Sequence, residues 1–140
     1  MKFLLDTNVV SEWMKPRPSP AVVEWLATAD EDCLFLSAVT LGELRYGVER
    51  LAKGHRRTRL ENWLERDLIE RFEGRLVAIE ERVATAWGRL LAKADAAGKP
   101  MGAMDGFLAA TSVIHSMTLV TRDVNDFAAS GIRTLNPWES

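Results

Sequence analysis

A chain of 140 residues, 47% apolar and 27% charged, has the length of one domain and the composition of an ordinary soluble globular protein, so its core needs neither disulfide nor structural metal. A formal net charge of −2 excludes a surface that attracts phosphate backbones everywhere, so any nucleic acid must be held by a local basic patch or through a cation. The single cysteine, Cys33, excludes an intrachain disulfide and any Cys-rich zinc site and fits a reducing compartment; opening an apolar run, it is expected to be a buried, inert thiol.

Phe3-Leu4-Leu5 is a short apolar run ending at Asp6 and predicts a buried strand. Its acid comes too early for a secretory apolar segment, and no run approaches the roughly 20 apolar residues of a membrane span, so a cytoplasmic protein without membrane contact is expected. Asp6-Thr7-Asn8 supplies capping side chains for a helix to about Lys15, before Pro16 and Pro18. Ser19-Pro20 predicts an N-cap and first helical position, with a helix to about Ala29. Leu34-Phe35-Leu36 is a second strand. Ser37 then caps a helix carrying Leu41, Leu44, Val48 and Leu51 at helical spacing, closed by Gly54.

A further amphipathic helix presents Leu60, Trp63, Leu64 and Leu68. Gly74 precedes a third strand over 76–79. The next helix carries Val83, Trp87, Leu90, Leu91 and Ala94 and stops at Gly98 in the C′ position. Residues 102–116 contain another helix, 118–121 a fourth strand, and Thr134-Leu135 a short edge strand. Short, continuously apolar strands separated by helices predict an α/β fold whose parallel sheet is covered on both faces.

Ligands of open parallel sheets collect outside the carboxyl ends of the strands. Asp6 ends the first strand, Asp123 lies two residues beyond the fourth, and Asp105 falls near a helix start, in phase with Leu108 and Ser112. Glu43 occupies the second turn after the second strand. Each acid alone has a structural explanation as a cap, a dipole partner, a solvated side chain or a turn residue. Gathered together they would repel, and burial would add to that cost unless a cation filled the cluster. Hard oxygen ligands suit Mg²⁺ or Mn²⁺ rather than zinc, and such an ion would let an acidic protein attract phosphate.

Phe-Leu-Leu-Asp-Thr-Asn at 3–8 resembles the opening of PIN-domain proteins. Leu-Ser-Ala-Val-Thr-Leu-Gly-Glu-Leu at 36–44 is similar to their second motif, 105–111 to the third, and Leu-Val-Thr-Arg-Asp at 119–123 to the fourth. Order and spacing match along essentially the full chain. The likeness extends to VapC-type toxins of the FitB group, which share Asn136-Pro137-Trp138. It implies a single PIN domain over 1–140, an α/β/α sandwich with a short central parallel sheet flanked by helices. It also implies the toxin of a type II toxin–antitoxin pair, an endoribonuclease cutting RNA phosphodiesters with a metal-activated water to leave a 5′-phosphate. Asp6 and Asp105 would be the principal ligands of Mg²⁺ or Mn²⁺, with Glu43 and Asp123 completing the set directly or through water. Asn8 and Thr121 would orient ligands or water. A cognate antitoxin, a homodimer, a larger complex with the antitoxin, and DNA contact only through the antitoxin are implied as well.

Two rivals stand beside this reading. One is a PIN-like binding module acting chiefly with its antitoxin on operator DNA. The other is a phosphotransferase of the haloacid-dehalogenase type with Asp6 as nucleophile, which usually wants an Asp where Asn8 stands. Lys53, Arg56, Arg57 and Arg59 form either a solvated loop or an RNA-contacting patch. His55 is expected in solvent. His115, in phase with Met104, Leu108 and Thr111, is expected as a satisfied core histidine. Trp13, Trp25, Trp63 and Trp87 are expected in the core, and Trp138 against a partner. No phosphate-binding or dinucleotide-binding glycine loop is present.

Overall fold

The computed structural model describes residues 1–139. The apolar runs become the strands of one sheet, β1 (Lys2–Leu5), β2 (Leu34–Ser37), β3 (Leu76–Val77), β4 (Met117–Val120) and β5 (Thr134–Leu135), in the order β3-β2-β1-β4-β5. Every neighbouring pair is parallel. Leu5 lies opposite Val120, so the residues that follow β1 and β4 emerge side by side at one edge.

Alternation along the strands sends side chains into two cores. Leu5, Leu34, Leu36 and Val120 join Val9, Leu26, Leu44 and Phe72 on one face, while Leu4, Met117 and Leu119 join Leu108, Ala109 and Phe127 on the other. Burial on both faces is why the strands read as continuous apolar runs. The first core is covered by α1 (Thr7–Val10), α2 (Pro20–Thr28), α3 (Ala38–Glu49) and α4 (His55–Asn62), the last running through a π-helical segment (Trp63–Leu68) into α5 (Ile69–Arg71). α6 (Glu81–Ala96) and α7 (Ala103–Ile114) cover the second. The α/β/α sandwich expected from the sequence is therefore the fold.

Several boundaries differ. The helical stretch after Asp6 tightens from α1 into a 3₁₀ turn (Ser11–Met14) before Lys15. Gly54 does not close the helix that Ser37 caps: α3 stops at Glu49, and Gly54 stands at the N-cap of α4. β3 spans two residues rather than four, because it is an edge strand and Leu76 is exposed. Ser19 makes no side-chain cap bond, and its backbone N–H donates instead to Glu12 Oε1 at 2.8 Å. Gly98 does terminate α6, at φ +73°, with its N–H and that of Lys99 returning to the carbonyls of Asp95 and Ala94.

The expected core histidine is also corrected. His115 caps the C-terminus of α7 half-buried, with Nε2 3.5 Å from Glu80 Oε1, and Met104 on its predicted face is exposed. Cys33 is half-buried rather than buried. All five tryptophans are half-buried. Trp138 packs in part on its own chain, against the first core and under the Arg122 guanidinium at 5.2 Å. Among the described residues no helix is long and apolar enough to cross a membrane.

α6 and α7 approach closely at Gly106, where a Cβ would come 2.9 Å from Leu91 Cδ2 and 3.0 Å from Trp87 Cδ1. Trp87 cannot retreat, because its ring stacks on Phe107 with centroids 4.6 Å apart and its indole N–H donates to the Ala103 carbonyl at 2.9 Å. Gly88, on α6, is open: a Cβ added there would meet nothing within 4 Å. The two glycines should therefore respond oppositely in urea unfolding. Gly106→Val is expected to cost about 1–3 kcal/mol by overpacking, and Gly88→Ala to add about 0.5–1 kcal/mol from helix propensity. A neutral Gly106→Val would show that the helices separate at no cost.

Candidate active site

Asp6 is the first residue beyond β1 and the N-cap of α1, with extended backbone (φ −70°, ψ 157°). Its Oδ1 accepts the Thr7 N–H at 2.7 Å, and its own N–H donates to the Val120 carbonyl at 2.9 Å. Oδ2 accepts the hydroxyl of Thr121, the first residue beyond β4, at 2.7 Å. Thr121 is wholly buried and Asp6 nearly so. The parallel register of Leu5 with Val120 is what sets these two side chains together.

A network spreads from that pair. Thr121 Oγ1 accepts the Asp123 N–H at 3.0 Å, and Asp123 Oδ2 accepts from Asn8 Nδ2 at 3.0 Å. Thr7 Oγ1 donates to Glu43 Oε1 at 2.7 Å, from α1 to α3. Asp105, in the first turn of α7, has no hydrogen bond or ion pair among the described residues and lines a cavity of about 410 Å³ with Lys99, Asn125 and Asp126.

The acids sense one another. Burial pushes the Asp6 carboxyl up from 3.8 to about 6; the hydrogen bonds from Thr121 and Thr7 oppose this, and the charges of Asp105 and Glu43 add to it. Burial likewise raises Asp105, followed by the charges of Asp126, Glu43 and Asp123. Asp6 thus senses Asp105 and Glu43, and Asp105 senses Glu43, Asp123 and Asp126, so the acids are linked through Asp105. As the side chains stand, no three acidic, histidine or cysteine groups among the described residues close on one ion. Their oxygens turn instead toward Thr7, Thr121 and Asn8. The donors are nonetheless all oxygen, mutually repelling and partly desolvated, a set that suits a hard divalent cation.

Three residues escape a reading of the sequence. Thr7 bridges Asp6 to Glu43, and only its place inside Asp-Thr-Asn hints at that. Asp126 lies three residues after Asp123 on a 3₁₀ turn (Val124–Ser130). Glu12 is buried on the 3₁₀ turn after α1 and ion-paired to Lys15. Burial acts to raise its carboxyl, but hydrogen bonds from Lys15 and the Ser19 N–H, with the charges of Lys15 and Arg122, hold it below the ordinary value. In the basic stretch, Arg57 is an internal tie rather than a free cation: it bonds Glu61 at 2.8 Å, Glu49 at 2.5 Å and the Leu51 carbonyl at 3.2 Å. Lys53, Arg56 and Arg59 are exposed, as is His55.

Over residues 3–130 the sequence matches the PIN domain family. It is 39% identical over 136 residues to the VapC ribonuclease Y4jK of Sinorhizobium fredii, covering 97% of each chain. To the toxin FitB of Neisseria gonorrhoeae it is 40% identical over 135 residues, covering 96% of this chain and 97% of that one. The fold is similar to a solved structure of FitAB bound to an IR36 DNA fragment, with a TM-score of 0.92 at 39% identity over 97% of this chain and 95% of that chain.

The raised Asp6 value has a consequence for stability. In metal-free protein the folded state holds the Asp6 proton more tightly than the unfolded state does. Its contribution is therefore full below pH 3.8 and is lost as the pH rises through about 6. Relative to Asp6→Asn, metal-free wild type should lose on the order of 2–3 kcal/mol between pH 3.5 and pH 7.5. Paired denaturant titrations in EDTA measure this, and a pH-independent difference would contradict the desolvated carboxylate.

Proposed function

The chain belongs to the PIN-domain family, beside VapC ribonuclease and FitB toxin relatives, and we propose that it is the toxin of a toxin–antitoxin pair, an endoribonuclease dependent on Mg²⁺ or Mn²⁺. The observation that carries this reading is the buried Asp6–Thr121 pair with Glu43, Asp105 and Asp123 gathered around it. Asp6 and Asp105 hold the cation, and Glu43 and Asp123 complete the set directly or through water. When bound, the cation offsets charge on the scissile phosphate and lowers the pKa of a water.

The chain's own residues do the rest. Thr121 and the Thr7 N–H fix both Asp6 oxygens, so the carboxylate cannot rotate away. Asp105, without a partner of its own, can turn to the cation at little cost. Thr7 holds Glu43 Oε1 and would leave Oε2 to accept a proton from the attacking water. Asn8 steadies the exposed Asp123. Cleavage leaves a 5′-phosphate. A cognate antitoxin, a homodimer, DNA contact through the antitoxin and a cytoplasmic site of action belong to the same proposal. The solved FitAB–DNA complex favours a second reading, a binding module acting with its antitoxin on DNA; four acids gathered at one edge serve no purpose there.

Antitoxin-free protein should cleave single-stranded RNA with Mg²⁺ or Mn²⁺ and stop in EDTA. Asp6→Asn and Asp105→Asn should fall to background with unchanged circular dichroism. Full cleavage by Asp105→Asn, or indifference to EDTA, would falsify the mechanism. Thr7→Val should weaken Mn²⁺ binding about 10–100-fold in calorimetry, whereas Thr7→Ser should restore it. Equal affinities in the two variants would remove Thr7 from the site.

A further inference from the structure

A further concavity lies outside the acidic edge. It has a volume of about 940 Å³ and is formed by α4, the π-helical segment after it and the 3₁₀ turn after α1. His55, Arg59, Trp63 and Arg66 follow one another along it at intervals of four, four and three residues, a single helical stripe. It extends about 16 Å by helical rise. Lys15 and Trp13 form the opposing wall, and Asp67 is the one acid on the lining. The backbone widens to π geometry from Trp63, a distortion frequent at functional sites.

Charge decides what fits. The protein is acidic overall, yet Arg59 and Arg66 are exposed and make no ion pair among the described residues. Four other arginines are engaged, Arg45 and Arg57 with Glu49, Arg71 and Arg75 with Glu31. Two uncommitted guanidinium groups with an indole between them match a strand of phosphates with unpaired bases. From the groove wall a series of charges runs toward the acidic edge. Lys15 pairs with buried Glu12, and Arg122, within electrostatic reach of Glu12, adjoins Asp123.

We propose that this groove binds single-stranded RNA, with Arg59 and Arg66 on its phosphates and Trp63 against a base, and leads the strand past Lys15 and Arg122 to the acidic edge. The site lies apart from the acids, deepens the ribonuclease reading and rests on it for the direction of the strand.

The test is fluorescence anisotropy of a labelled, unstructured 12-nucleotide RNA with the full chain in EDTA, where cleavage plays no part. Arg59→Ala/Arg66→Ala should weaken binding about tenfold or more and reduce the salt slope of log K by about 1.4, for two phosphates on a single strand. Arg82→Ala/Arg89→Ala, a charge-matched pair on α6, should change neither. Trp63→Leu, which keeps apolar bulk, should weaken binding about tenfold by loss of stacking. Equal losses from both arginine pairs would reduce the groove to bulk charge and overturn the proposal. So would unchanged RNA binding, including the case in which Arg59→Ala/Arg66→Ala releases a protein partner instead. A wild type that binds RNA here but cleaves none with Mn²⁺ would uphold the groove and sink only the ribonuclease reading.

Discussion

One hydrogen bond organises the acidic edge of this molecule, that from the Thr121 hydroxyl to the Asp6 carboxylate. Both residues are the first beyond neighbouring parallel strands, and both are buried. A carboxylate in that position lacks the water that would stabilise its charge, and two hydrogen bonds do not replace it, since burial remains the dominant influence on its protonation. The fold thus carries a fixed, under-compensated anion at a strand end. Thr7, Asn8, Glu43 and Asp123 are arranged outward from it by a connected series of hydrogen bonds.

Asp105 joins from the other layer. It is carried by α7, whose place on the sheet depends on a glycine-sized gap against α6 one residue later in the chain. Packing at Gly106 and placement of Asp105 are therefore one problem: widening the gap moves the first turn of the helix that bears the acid. The two layers meet at the cluster, with Asp6 and Glu43 anchored beside the first core and Asp105 on the helix that covers the second. A cation held between them would bind the layers together where their charges otherwise push them apart.

How much of this the sequence discloses depends on how local the cause is. The strands are legible because a doubly covered parallel strand is apolar at every position, and β3 comes out shorter than its apolar run because at the sheet edge that rule fails. The four acids are legible by position relative to strand ends and by family likeness. Thr7, Glu12 and Asp126 are not, because each matters through residues distant in sequence or through a turn whose shape composition does not dictate. The basic stretch shows the opposite failure. Lys53, Arg56, Arg57 and Arg59 look like one patch in linear order, yet the chain turns Arg57 back onto two glutamates, while the partner of Arg59 is Arg66, two helical turns away.

On the proposed reading, separate acidic and basic zones solve a problem that a uniformly basic nuclease would not. A metal-free acidic edge repels phosphate, so RNA lying in the groove is not drawn into a site that lacks its cation. Filling the edge with a divalent ion reverses the local sign and makes it attractive to the same strand. Cation and RNA then favour each other's binding, and by linkage the coupling is equal in both directions. The net charge of −2 is part of this arrangement. It keeps most of the surface indifferent to nucleic acid, leaving recognition to one stripe and reactivity to one edge.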